Sequence, residues 1–151
     1  MVRVIVIATG SALVFACAGK SKQIARTAAD STVACLRYGP ETDAVRGHLE
    51  RLVFAGRPNY EDTLHGDEPE PGFYLHVAPP ICVAGGRDEE LGEPHSGVDS
   101  VQLVLDSAGY SALRPYLGQS IALRGSLFPE HTGHHHAPVL MDVVKPVRIA
   151  P

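Results

Sequence analysis

"DSAGYSALRPYLG", residues 106–118, decides the fold. It reads as a helix and stands between stretches that read as strands. Asp106 is a residue type that caps a helix, and Tyr110, Leu113 and Leu117 follow at helical spacing. Pro115 lacks a backbone donor, so it limits this helix to two turns or starts a second one. Gly118 stops it.

Outward from this segment the period changes to two. "AVRGHLERLVF" (44–54) puts Val45, Gly47 and Leu49 on one face. "FYLHVAPPICV" (73–83) aligns Phe73, Leu75 and Val77, and "VDSVQLVL" (98–105) aligns Val101, Leu103 and Leu105. After the helix, "QSIALRGSLF" (119–128) aligns Ile121, Leu123, Gly125 and Leu127, and "VLMDVVKPVRI" (139–149) aligns Val139, Met141 and Val143. Alternation over four to eight residues is the strand signal. The order β-β-β-α-β-β predicts a mainly β protein: a small five-stranded, OB-like Greek-key barrel with one short helix. "VRGHL" and "LRGSL" each place a glycine mid-strand, where a small barrel must bend. Another small β-sandwich is the competing architecture.

The chain of 151 residues has room for one domain, expected at 34–151. Before it stands "MVRVIVIATGSALVFACAGKSKQ". Arg3 precedes an apolar run from Val4 to Ala18, shorter than the roughly 20 apolar residues that span a bilayer. Its length and flanks are those of a signal peptide. "VFAC" resembles the lipobox of bacterial lipoproteins, with cleavage after residues 1–16 and lipid on Cys17. Phe15 is bulky for that pattern, and ordinary cleavage at "ACA" is the alternative. Two or more acyl chains anchor a protein stably. Ala18 is not the aspartate of inner-membrane retention, so the expected address is the envelope, facing the periplasm and anchored at the outer membrane. Residues 17–33 are small and polar, a tether between lipid and domain.

Export leaves Cys35 and Cys82 as two thiols in an oxidising compartment, so a disulfide is expected. In an antiparallel first pair of strands, the start of one strand lies beside the end of the next. That places Cys35 next to Cys82 independently of the redox argument.

Loss of residues 1–16 removes Arg3 and no acid, taking the net charge from −4 to −5. The acids gather in "YEDTLHGDEPEP" and "GGRDEELGEP", which read as solvated loops without the spacing of a calcium loop. The charge argues against nucleic acid as a partner, and the few aromatics leave little stacking surface. No G-x-S-x-G frames a serine and no phosphate loop is present.

"FPEHTGHHHAP" (128–138) holds four of the eight histidines. "HTGH" has the form of a hairpin turn with Thr132 and Gly133 central. His131 would then face His134 across the ladder, and His136 would share that face while His135 points away. Three imidazoles on one face would ligate zinc, copper or nickel, with Glu130, His95 or Asp142 completing the shell. The competing reading is a polar turn with no metal.

"CLRYGPETDAVRGHLERLVFAGRPNYED", "GDEPEPGFYLHVAPPICV", "VQLVL", "LRPYLG" and "GSLFPEHTGHHHAPVLMDV" occur in this order. Over residues 34–149 they resemble an uncharacterised family of exported bacterial domains, known only as a domain of unknown function. Ala55 departs from the family's T-F-P-G-x-P-N-Y-E, in which a proline stands at that place. The resemblance implies an exported envelope protein and no particular activity.

Together these readings predict a lipid-anchored, non-enzymatic binding module whose ligand is an envelope protein, a glycan or a metal. An inhibitor or assembly partner of a periplasmic enzyme is one alternative, with "GRPNYEDTLHGDEPEP" and "GGRDEELGEPHSG" as its contact loops. A metal-dependent enzyme with Glu130 as general base is the other.

Overall fold

The computed structural model describes residues 35–85, 93–145, 147 and 149. The expected leader 1–16, the lipid-bearing Cys17 and the tether 17–33 lie outside the described residues, as do residues 86–92 of the second acidic loop.

The chain runs β1 (Leu36–Arg37), β2 (Asp43–Ala55), β3 (Pro69–Ala84), β4 (His95–Val104), α1 (Ser107–Leu113), β5 (Ser120–Pro129) and β6 (Val139–Val143). Strands β2 to β6 close a barrel. β2 pairs antiparallel with β3 and β5, β5 with β6, and β3 with β4, while β4 and β6 run parallel. This is the expected mainly β, five-stranded mixed barrel with one short helix, in the strand order of an OB fold.

Period two sets the core. Val45, Leu49, Phe73, Leu75, Val77, Val101, Leu103, Ile121, Leu123, Leu127, Val139, Met141 and Val143 are all buried in one cluster. The helix follows its sequence signals closely. The Asp106 carboxylate accepts the Gly109 N–H at 2.8 Å. Pro115 opens a 3-10 turn over Arg114–Tyr116, and Gly118 leaves it at φ 78°.

Three departures from the period-two reading bear on the site and the disulfide. β3 begins at Pro69 rather than near Phe73. Over Pro69–Gly72 it pairs with β2, while its register with β4 starts at Phe73. The prolines therefore occupy a one-sided edge, where a missing N–H costs no ladder bond. β6 stops at Val143 instead of running to Ile149, just before the Lys145–Pro146 pair, where proline removes a donor. The third difference is β1, an extra two-residue strand parallel to the end of β3, with Leu36 opposite Val83.

Cys35 and Cys82 form a disulfide across a sequence separation of 47, with Cα atoms 4.8 Å apart. The pairing is as expected, but its local frame is different. The residues after Cys35 lie parallel to β3 as β1, and β2 starts only at Asp43.

The barrel also buries part of its outer face. Tyr74 is 1% exposed and Leu140 is fully buried, although both alternate with core residues on their strands. What covers Tyr74 is the candidate site.

Candidate functional site

Two loops meet over the outer face of β3 and β4. One joins β2 to β3 (56–68) and the other joins β5 to β6 (130–138). Each is held by one side chain.

In the first loop that side chain belongs to Asp67. It is 5% exposed, and its carboxylate accepts the backbone N–H groups of Asn59, Glu61 and Asp62 at 2.8, 2.8 and 2.9 Å. These bonds bracket Tyr60, which adopts φ 61°, a left-handed conformation costly for a residue with a side chain. The ring of Tyr60 lies against Gly133 of the other loop, where an added Cβ would come within 3.1 Å of it. The acids of "YEDTLHGDEPEP" were read as solvated; Asp67 is instead the buried tie of the loop.

Those three N–H groups hold the Asp67 carboxyl below its ordinary value of 3.8. At Asp106 the Gly109 N–H, then Lys145, act in the same direction. A depressed folded pKa contributes stability above the unfolded value, and this is lost as pH falls through the folded value. Thermal stability is therefore expected to hold through neutral pH and to fall below about pH 3.8. Asp67→Asn should be less stable at pH 7 and should lower the proton uptake on acid unfolding by about one. Melting curves from pH 7 to 2.5 check both; an unchanged acid slope would remove Asp67 from this role.

The second loop is held by Gln102 of β4. Its Nε2 donates to the His134 carbonyl at 2.9 Å, and its Oε1 accepts the His136 N–H at 2.7 Å. One amide thus replaces a strand partner for three residues of loop. Gln102→Ala leaves both backbone groups without that partner, a loss of about 1–3 kcal/mol for the loop. Faster hydrogen exchange at the His136 amide, with the barrel amides unchanged, is the expected result.

The histidines are not arranged as a two-residue hairpin. The turn is one residue further on: the His135 N–H donates to the Thr132 carbonyl at 3.0 Å, so Gly133 and His134 are central. His134 and His136 both face Glu70, although neither lies in a strand. His131 does not join them. Its N–H donates to His135 Nδ1 at 3.0 Å, and the two rings stand 4.4 Å apart. Burial, then the neighbouring imidazoles of His131 and His134, pulls the His135 pKa down.

Glu70 is the residue that the sequence reading missed. Its Oε1 lies 2.8 Å from His134 Nδ1. The carboxylate fixes the proton on Nδ1, so Nε2 accepts from the Tyr60 hydroxyl at 3.1 Å. The chain Glu70–His134–Tyr60 therefore ties the two loops together. His136 completes the cover of the outer face, stacked on Phe54 at 4.6 Å and 6°. Phe54 in turn meets Tyr74 at 5.4 Å. Burial, with Glu70 adding, pushes the Tyr74 phenol well above its ordinary value.

Other expected metal partners lie elsewhere. His95 Nδ1 is 2.8 Å from the Tyr38 hydroxyl, whose pKa burial pushes up to about 12. Glu130 exerts its charge on Tyr38 and His135. Asp142 is exposed on β6. Among the described residues no group of three or more His, Cys, Asp or Glu is placed to hold a metal ion.

Beside the tie, Gly56, Arg57, Glu68, Pro69, Glu70, Pro71 and His134 line a cleft of about 360 Å³. It offers one guanidinium, two carboxylates and one imidazole.

Residues 100–148 match the family described as Domain of unknown function (DUF4431). The matched stretch contains Gln102, α1 and the histidine loop; Tyr60, Glu70 and both cysteines of the disulfide lie before it. No curated protein and no solved structure matches this chain.

Proposed function

We propose that this protein is exported, lipid-anchored at Cys17 on the periplasmic side of the envelope, and acts as a non-enzymatic binding module. Its ligand edge is the pair of loops 56–68 and 130–138. The observation that carries the reading is the Glu70–His134–Tyr60 tie, which pre-forms a polar cleft where OB barrels take their ligands. A pre-formed edge saves the ordering entropy of two loops on binding. The net charge of −4 disfavours nucleic acid, so a glycan of the envelope is the favoured class. The disulfide and the "VFAC" leader support export.

Two measurements test this. Cys17→Ser should move the protein from the membrane fraction to the soluble fraction; retention in the membrane would remove the anchor. On a glycan array, binding by wild type should be lost in Tyr60→Phe/His134→Ala. Binding that ignores that pair would move the ligand edge elsewhere.

A protein partner, whether an enzyme it inhibits or an assembly it joins, is the second reading. Leu64 supports it, being 88% exposed at the tip of the acidic loop. Leu64→Asp should then abolish capture of one defined periplasmic protein.

Metal binding at His131, His134 and His136 makes a stricter demand. Tyr60 must release His134 Nε2, and the His131 ring, packed against that of His135, must turn toward His134 and His136. Calorimetric titration of untagged protein with zinc, copper and nickel decides it. One tight site lost in His131→Ala/His134→Ala establishes the metal; no heat removes it.

A further inference from the structure

A second cleft opens at the barrel mouth beside α1, and the ligand edge proposed above does not use it. Its volume is about 310 Å³, and it is lined by Arg51, Pro71, Gly72, Phe73, Tyr110 and Arg114. Arg51 comes from β2, opposite Phe73. Arg114 is the C-cap residue of α1. The placement follows from the fold: α1 sits over one end of the barrel, and the ring of Tyr110 meets that of Phe73 at 4.9 Å and 73°.

Three features make this cleft unlike the rest of the surface. It has two guanidiniums and no carboxylate in its lining, in a chain of net charge −4. Among the described residues neither Arg51 nor Arg114 is ion-paired. Both side chains are exposed, so neither supports the core. Arginine presents a planar fork of donors that matches phosphate and carboxylate oxygens two at a time. Low-dielectric walls such as Pro71 and Phe73 strengthen that attraction relative to open solvent. The Tyr110 hydroxyl adds a neutral donor to the same lining.

We propose that this cleft binds an oxyanion, a phosphate or carboxylate group, between Arg51 and Arg114. The site shares Pro71 with the first cleft, but Arg51 and Arg114 are its own, and it does not rest on the loop-edge reading. The same chemistry could arrive as free phosphate, as an acidic sugar or as a lipid head group, and the test separates these sources.

Two-dimensional NMR titrations of the full-length chain would use inorganic phosphate, glucuronate and a soluble short-chain phosphatidylglycerol. Saturable shifts centred on Arg51, Tyr110 and Arg114 are expected with at least one probe. They should weaken at least tenfold in Arg51→Gln/Arg114→Gln and decline as salt rises. The probe that saturates at the lowest concentration names the source. Absence of saturation with all three probes would overturn the proposal, as would shifts that ignore the double variant. Should the double variant unfold, Arg51→Lys and Arg114→Lys singly keep the charge and lose the fork. Each should then weaken binding measurably, and unchanged affinity in both would count against the site.

Discussion

Removing the disulfide should be the most damaging conservative change in this protein. Cys35→Ser/Cys82→Ser opens a cross-link that spans 47 positions of sequence. In the chain-entropy account a closed loop of about 48 residues contributes about 4 kcal/mol by restricting the unfolded chain. For a domain of this size that corresponds to a melting point roughly 15 °C lower. The fold gives a second reason to expect a large effect. Cys82 lies in β3, which pairs with β1, β2 and β4. Cys35 holds β1 against that strand, and Tyr38 just beyond it is buried in the core. Opening the bond frees the chain immediately before β1, so the loss reaches the core as well as the unfolded chain. Melting of oxidised wild type, reduced wild type and the double serine variant separates the contributions. The two disulfide-free forms should agree, both far below the oxidised form. A drop of only a degree or two would mean that the β1–β3 contact holds without its cross-link.

The disulfide shows what kind of feature is legible in such a chain. Cysteine arithmetic needs no geometry, and it gave the right pair. The helix was legible for a related reason: its signals, Asp106, Pro115 and Gly118, act within a few residues of themselves. The core rows follow from period two, because one face of every barrel strand is buried. The site was legible only in part. The sequence drew attention to the histidines, but strand alternation does not describe residues 134–136, which lie in a turn and loop. The partner of His134 and His136, Glu70, is 64 residues away from His134. No local rule connects them. Glu70 belongs to an acid-rich run that looks solvated, and its role appears only once β3 starts at Pro69 and puts it on the face of Tyr74. The turn was displaced by one residue for a similar reason. Tyr60 from the other loop lies against Gly133, leaving little room for a side chain there, and the Gln102 amide holds the residues that follow. Tertiary contacts, not the "HTGH" pattern, choose which residues are central.

Gly125→Ala should be the most damaging single methyl that can be added to the barrel. Gly125 pairs with Asp43 of β2 and with Val143 of β6, so it is the residue at which β5 passes from one neighbour to the other. An added Cβ would stand 2.4 Å from Met141 Cγ and 2.5 Å from the Asp142 carbonyl oxygen. Met141 is fully buried, and the Asp142 oxygen is backbone, so neither yields cheaply. Overpacking of this kind costs about 1–3 kcal/mol and occasionally more. The entropy gained by replacing glycine offsets at most about 1 kcal/mol. A net loss of up to about 3 kcal/mol is therefore expected, and the contact distances favour the upper end of that range. Gly118→Ala is the control: its φ is 78°, but nothing lies within 4 Å of the added carbon. It should cost only the left-handed strain, about 1 kcal/mol. The consequence for the site follows from the path of the chain. β5 leads directly into loop 130–138, and β6 receives it, so a shift of β6 relative to β5 moves His134 away from Glu70. Gly125→Ala should thus weaken the tie between the loops even in molecules that stay folded, which Gly118→Ala should not. The His134 imidazole proton shifts report this directly by NMR. If Gly125→Ala lowers stability and leaves them unchanged, the loops are positioned by their own contacts and not by the barrel corner beneath them.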